Sequence, residues 1–250
     1  MLHMNTTGLI RKSFLFFFVL TGIASCSDKE PASVETSTEI NSSAPSPAEV
    51  HESSLVLDAH ADIVIPSTSR AYMSADGTSK VDPAKMRAGG VDAVVMSVAV
   101  GPGPRTKEGD AAARAEADEK IAAVHTLVKE SQGQVVIATT SSEIIAAHEA
   151  GKSALILGFQ NARSLQGNVS AIDEFYAEGV RIFGLNHLGH NAFSDSSRPE
   201  FSGETGAFEV TEEHGGLSTL GVAAIEKIVA LGALVDVSQL SKAATLQVLE

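Results

Sequence analysis

From residue 55 onward the chain alternates short apolar runs with stretches whose apolar residues recur at three- and four-residue steps. The apolar runs are 55–57 leading into 58–62, then 91–100, 134–139, 154–159, 180–185 and 233–237. Each is short, rich in Val, Ile and Leu, and bounded by Gly or polar residues, which predicts a strand. Between them, residues 109–130 carry Ile121, Val124 and Val128 on one face. Residues 141–150 form a short amphipathic pattern, and 217–231 align Leu217, Leu220, Ala224, Ile225 and Ile228. These spacings predict helices. Gly133, Gly151, Gly179 and Gly232 fall where a helix stops and the chain turns into the next strand.

Apolar strands separated by helices are covered on both faces, which means a parallel sheet. The expected fold class is therefore α/β. A doubly wound nucleotide fold is disfavoured, because His-x-Asp rather than a Gly-rich phosphate loop follows the first strand. The remaining solution is a (β/α)8 TIM-type barrel, of which about six βα units are present. Residues 242–250 read as helix, so the barrel is expected to continue past residue 250, with two further units of roughly 60–100 residues.

The N-terminal pattern is different. Arg11 and Lys12 precede the apolar run Phe14–Leu20, followed by small residues. That describes an export signal, too short for the roughly 20 residues of a spanning helix. Ile23-Ala24-Ser25-Cys26 resembles a bacterial lipobox, and Cys26 is the only cysteine. The resemblance implies cleavage after residue 25, acylation of Cys26, and attachment to a lipid bilayer at the cell envelope. Residues 26–54 are expected to be a flexible tether. Ser, Thr, Pro and Glu supply 18 of the 28 positions from 27 to 54, and such a composition buries too little surface to offset its ordering entropy. His51 is expected to be solvated.

Charge narrows the class. Acidic residues outnumber basic ones 31 to 18, a net charge of −13. Removal of Arg11 and Lys12 with the signal takes this to −15. So acidic a body is a poor nucleic-acid binder. A single cysteine excludes a disulfide framework and a multi-cysteine zinc site.

Four polar clusters sit at strand ends. In Asp58-Ala59-His60-Ala61-Asp62, strict alternation places Asp58, His60 and Asp62 on one face. Imidazole and carboxylate suit zinc, and Asp58 is placed to hold the His60 imidazole. On these residues alone the cluster is either a metal site or a hydrogen-bonded structural group. Gly158–Arg163 brings Gln160 and Asn161 to the same rim, Asn161 fitting a helix cap or a turn. Leu185–Asn191 brings His187, which the strand places more directly than His190. A long polar stretch to Gly216 follows, of a length that is usually functional or disordered. His190 and His214 read as ordinary loop histidines, and His125 and His148 as helix residues outside the chemistry. Asp236–Ser241 brings Asp236, Ser238 and Gln239, with Ser241 placed to cap the next helix.

Together the stretches 58–64, 154–165, 179–197 and 214–241 resemble the membrane (renal) dipeptidase family of zinc metallopeptidases, in the family's order. The resemblance covers residues 55–250. It implies a metal-dependent hydrolase barrel acting on dipeptides, with one or two zinc ions and a possible homodimer. It makes His60 and Asp62 metal ligands and His187 a substrate-binding residue. Two positions depart: Gln160 stands where the family has a bridging Glu, and Gln239 where it has a zinc-binding His. An amide offers one neutral oxygen where a carboxylate offers two charged ones. Hence two rival expectations stand beside hydrolysis of dipeptides: a non-catalytic relative that binds peptides, and a hydrolase of another amide or ester.

Overall fold

The computed structural model describes residues 44–202 and 207–250. The expected export signal, Cys26 and the expected tether up to residue 43 lie outside the described residues. All six apolar runs form strands. In chain order the regular elements begin with α1 (Pro47–Ser53), β1 (Leu57–Asp62), α2 (Pro83–Gly89), β2 (Ala93–Ala99) and α3 (Lys107–Glu130). They continue with β3 (Val135–Ile137), α4 (Ser141–Glu149), β4 (Ser153–Gln160), α5 (Ala171–Ala177) and β5 (Val180–Gly184). Last come β6 (Phe201–Ser202), β7 (Ala207–Phe208), α6 (Thr219–Ala230), β8 (Leu234–Asp236) and α7 (Lys242–Leu249).

Strands β1, β2, β4, β5 and β8 lie side by side in that order, and β3 pairs with the start of β4. Every pairing in this sheet is parallel. β2 and β4 are buried at every position, as continuous apolar runs require when both faces are covered. Residues in register across parallel strands share a face, so the two faces can be traced. Val94, Met96 and Val98 align with Leu155, Leu157 and Phe159 and pack under the helices, where Phe159 meets Phe175 of α5 edge-on at 4.9 Å and Phe183 of β5 at 5.5 Å. Val95, Ser97 and Ala99 align with Ile156, Gly158 and Gln160 on the opposite, concave side.

Two expectations need correction here. Residues 47–53 are helical rather than tether. Ser46 accepts from the Glu49 N–H while Glu49 accepts from the Ser46 N–H, a reciprocal cap that starts α1 with Pro47 at its first turn. Composition alone misses this local signal. His51 is exposed, yet its Nε2 lies 3.0 Å from the Gly89 carbonyl at the end of α2, so it docks α1.

The second correction concerns β1. Its register against β2 advances by three residues between Asp58 and Ala61 while β2 advances by two. This bulge changes the alternation. Leu57 and Ala59 turn toward the concave side at its lower, apolar level, and His60 and Asp62 turn to the same side at the upper level. Asp58 pairs instead with Val94, and its Oδ1 accepts from the His60 backbone N–H at 3.0 Å. It therefore holds the bulge, not the imidazole.

Candidate active site

The concave side of the sheet has two levels. The lower is an apolar cavity of about 430 Å³ lined by Leu57, Ala59, Val95, Ile156, Ile182 and Leu234. The upper, at the C-terminal strand ends, is a second cavity of about 430 Å³. His60, Asp62, Gln160, His187 and Gln239 all line it. Residues drawn from four separated stretches thus converge on one place, because parallel strands deliver their C-terminal ends to one edge.

The long segment after β5 is what holds that edge together. Ser196 Oγ lies 2.8 Å from the His187 carbonyl and 3.3 Å from the Gln239 carbonyl, joining two of the site-bearing segments through one hydroxyl. The Ser197 N–H donates to the Gln239 carbonyl at 2.9 Å, and the Ser241 N–H to the Asp195 carbonyl at 2.8 Å. Asp195 is wholly buried and accepts from the backbone N–H groups of Glu213, His214 and Gly216 at 2.9–3.1 Å. Burial pushes its carboxyl up, but those N–H groups and nearby His190 outweigh it and hold the group below 3.8. His190 Nε2 donates to the Val210 carbonyl at 2.7 Å and its Nδ1 accepts from the Ser196 N–H at 2.9 Å. It is a loop anchor, as is His214, whose Nε2 donates to the Asn191 carbonyl at 2.8 Å. His125 pairs with Glu178 and His148 with Asp92, both away from the cavity. Asn161 caps the one-turn helix 162–165, accepting from the Arg163 N–H, and its Nδ2 donates to the Val100 carbonyl.

Within the cavity several polar groups lack partners. Neither the His60 imidazole nor the Asp62 carboxylate has a hydrogen-bond or ion-pair partner among the described residues. His187 Nδ1 and Gln239 Oε1 are buried and unpartnered. Burial pushes the His187 imidazole below 6.5; Asp62 pulls it up, and Arg198, His60 and Lys120 push it further down. The net effect favours the neutral imidazole. Gln239 carries φ of 65°, a left-handed conformation that costs a side-chain-bearing residue about 1 kcal/mol.

Sequence reasoning missed other lining residues of this cavity, two charged ones among them. Lys120 and Glu116 of α3 form the wall facing the strand ends. The signal was present: Lys120 falls in the row Ala113, Ala117, Lys120, Val124, where the others are buried apolar residues.

As a zinc site the donor set fits one ion. His60 and Asp62 supply the imidazole and carboxylate zinc prefers, and the unpartnered Gln239 Oε1 supplies a neutral oxygen. It offers no second carboxylate to bridge a pair of ions, since Gln160, which lines the same cavity, is a neutral amide. Among the described residues no three His, Cys, Asp or Glu side chains are grouped as a metal site.

Residues 46–250 match the membrane dipeptidase family, peptidase family M19, and the chain belongs to it. The probable dipeptidase PvdM from Pseudomonas aeruginosa shares 28% identity and superposes with a TM-score of 0.69, over 80% of this chain and 50% of that one. A metallopeptidase from Rhodobacter sphaeroides, solved with a phosphinate mimic of L-Ala-D-Ala, has the same fold (TM-score 0.64, 18% identity, 78% of this chain and 61% of that one). Among curated relatives, dipeptidase verJ from Clonostachys rogersoniana is 28% identical over 131 residues, covering 52% of this chain and 31% of its own. Dipeptidase aclJ from Aspergillus oryzae is 32% identical over 96 residues, covering 38% and 20%. The chain thus spans about half the length of PvdM and a third or less of these curated relatives.

Proposed function

We propose that this chain belongs to a hydrolase that cleaves the amide bond of dipeptides and that it supplies the metal-binding residues. The observation that carries the reading is the convergence of His60, Asp62 and the unpartnered Gln239 Oε1 on one cavity, in a chain of the membrane dipeptidase family. His60, Asp62 and Gln239 would hold one zinc ion, the family's usual metal. What zinc supplies at such a position is Lewis acidity, which makes water a nucleophile near neutral pH and polarises a carbonyl. The protein's own groups do the rest. Neutral His187 offers Nδ1 to the substrate as a hydrogen-bonding group without bringing a second positive charge to the site. Gln160, 7% exposed, closes the cavity wall with an amide that both donates and accepts.

The two amides also favour a second reading, a relative that binds peptides without cleaving them. Zinc stoichiometry and dipeptide turnover of the full chain separate the two. One zinc per chain with turnover, both lost in His60→Ala, supports the hydrolase. A metal-free protein that binds dipeptides and turns none over sinks it and leaves the binder.

The site is further proposed to work at the cell envelope, tethered through acylated Cys26. Cys26→Ala should then move the protein from the membrane fraction to the soluble exported fraction. An unchanged distribution would reject the anchor.

A further inference from the structure

We propose that Lys120 is a specificity-determining residue that receives the free carboxylate of a small peptide ligand in the upper cavity. The proposal rests on the peptide-site reading above. Lys120 projects from α3 into the wall of that cavity, and its side chain is only 10% exposed. Its ammonium donates to the Ala99 carbonyl at the end of β2 and to Glu116 Oε1 at 2.8 Å. An ammonium has three N–H groups, and these two partners leave one for a ligand.

A buried lysine here needs a cause beyond packing. The neighbouring positions on the same row, Ala113, Ala117 and Val124, are apolar, and a Leu or Met would fill the space without desolvating a charge. Charge retained in a cavity at that cost is what a ligand-binding role predicts. The cavity's other walls offer it no anion to spare. Gln160 and Gln239 are neutral, and Asp62 stands beside His60 on β1. Glu116, 41% exposed at the side chain, sits half in solvent, so its hold on the ammonium is screened and open to competition. Lys120 is also close enough to act electrostatically on His187. A ligand spanning from the β-strand ends to α3 would therefore meet His187 at one end and Lys120 at the other. The volume of about 430 Å³ lies within the range of small-molecule sites.

The test uses a reduced-amide (CH2–NH) isostere of alanyl-alanine, which cannot be hydrolysed, and the same compound as its C-terminal carboxamide. Both are titrated calorimetrically into the full chain and its variants, with circular dichroism to check folding. Wild type should bind the acid at least tenfold more tightly than the carboxamide. Lys120→Met should bring the ratio near one and Lys120→Arg should keep it. Glu116→Gln, which removes the competing carboxylate, should tighten acid binding several-fold. A ratio preserved in Lys120→Met, or acid binding weakened in Glu116→Gln, overturns the proposal while leaving the peptide reading intact. If wild type binds neither isostere, N-acetyl-alanine decides. Binding that depends on Lys120 upholds the carboxylate subsite and removes the peptide reading, and no binding overturns both.

Discussion

Leu57 and Asp62 face the same side of the sheet although they stand five positions apart, an odd number. Leu57 is in register with Ala93 and Asp62 with Ser97, which are four apart on β2. The bulge between Asp58 and Ala61 absorbs the extra residue. Without it, the face that carries Leu57 on the apolar lower level could not also carry Asp62 on the polar upper one. One strand thereby serves both levels of the concave side, the lower apolar cavity and the upper cavity where ligands would bind.

Gln160→Glu places a carboxylate at the cavity position for which the resemblance implies a metal-bridging one. Without metal, the buried charge should destabilise the protein by about 1–3 kcal/mol. With zinc, binding should tighten at least tenfold, about 1.4 kcal/mol. Thermal melts with and without zinc, with a competitive chelator titration, read both effects. A variant with lower stability and unchanged zinc affinity would show that Gln160 stands away from the metal position.

Gln239→Gly should separate stability from binding. Glycine accepts the left-handed backbone at no steric cost, so the fold should gain up to about 1 kcal/mol. The backbone bond from the Ser197 N–H to the residue 239 carbonyl survives. Zinc affinity should fall, because the Oε1 donor is gone. Denaturant melts and zinc titration check the two opposite signs.

Asp195→Asn should cost about 2–3 kcal/mol at pH 7, since Asp195 collects the backbone N–H groups of residues 213, 214 and 216 as a charged acceptor. Its carboxyl is held below 3.8 in the folded protein. Its stabilisation is therefore fully present above 3.8 and is lost as pH falls through that value toward the folded one. Wild type should lose this contribution in acid, and the variant should show a shallower acid limb in denaturant melts taken from pH 7 to pH 3.

Phe159→Ala should destabilise by about 3–5 kcal/mol. The side chain is buried between Phe175 and Phe183 at 4.9 and 5.5 Å, where the cavity left behind cannot collapse without shifting α5. The next residue is Gln160, so ligand binding should weaken in the same variant even where it remains folded. Urea unfolding alongside ligand titration reads both.

The strands were legible because burial on both faces demands unbroken apolar runs, as in Ala93–Ala99 and Ser153–Gln160. The helices α3 and α6 announced themselves by their apolar stripes. Helices α2 and α5 were not legible: each is seven residues long, too short for a periodic stripe, and depends on Asp82 as a cap or on Phe175 reaching the core. The five site residues expected from the sequence line one cavity, since chemistry at the C-terminal strand ends follows from strand direction alone. Lys120 and Glu116 were missed because they lie on a helix, away from the strand ends where the candidate groups were sought. Asp58 was misplaced because alternation is a rule of regular strands, and β1 is bulged.

By itself the sequence determined the six strands of the parallel sheet, the longer helices between them and the identity of the groups at the strand ends, because these follow from local periodicity and chain direction. Only the tertiary structure decided which of those groups share a cavity, that Gln239 Oε1 and His187 Nδ1 lack partners there, and that a lysine from α3 enters it. Those facts depend on distances between segments far apart in the chain, and on a one-residue bulge whose position is set by pairing with a neighbouring strand.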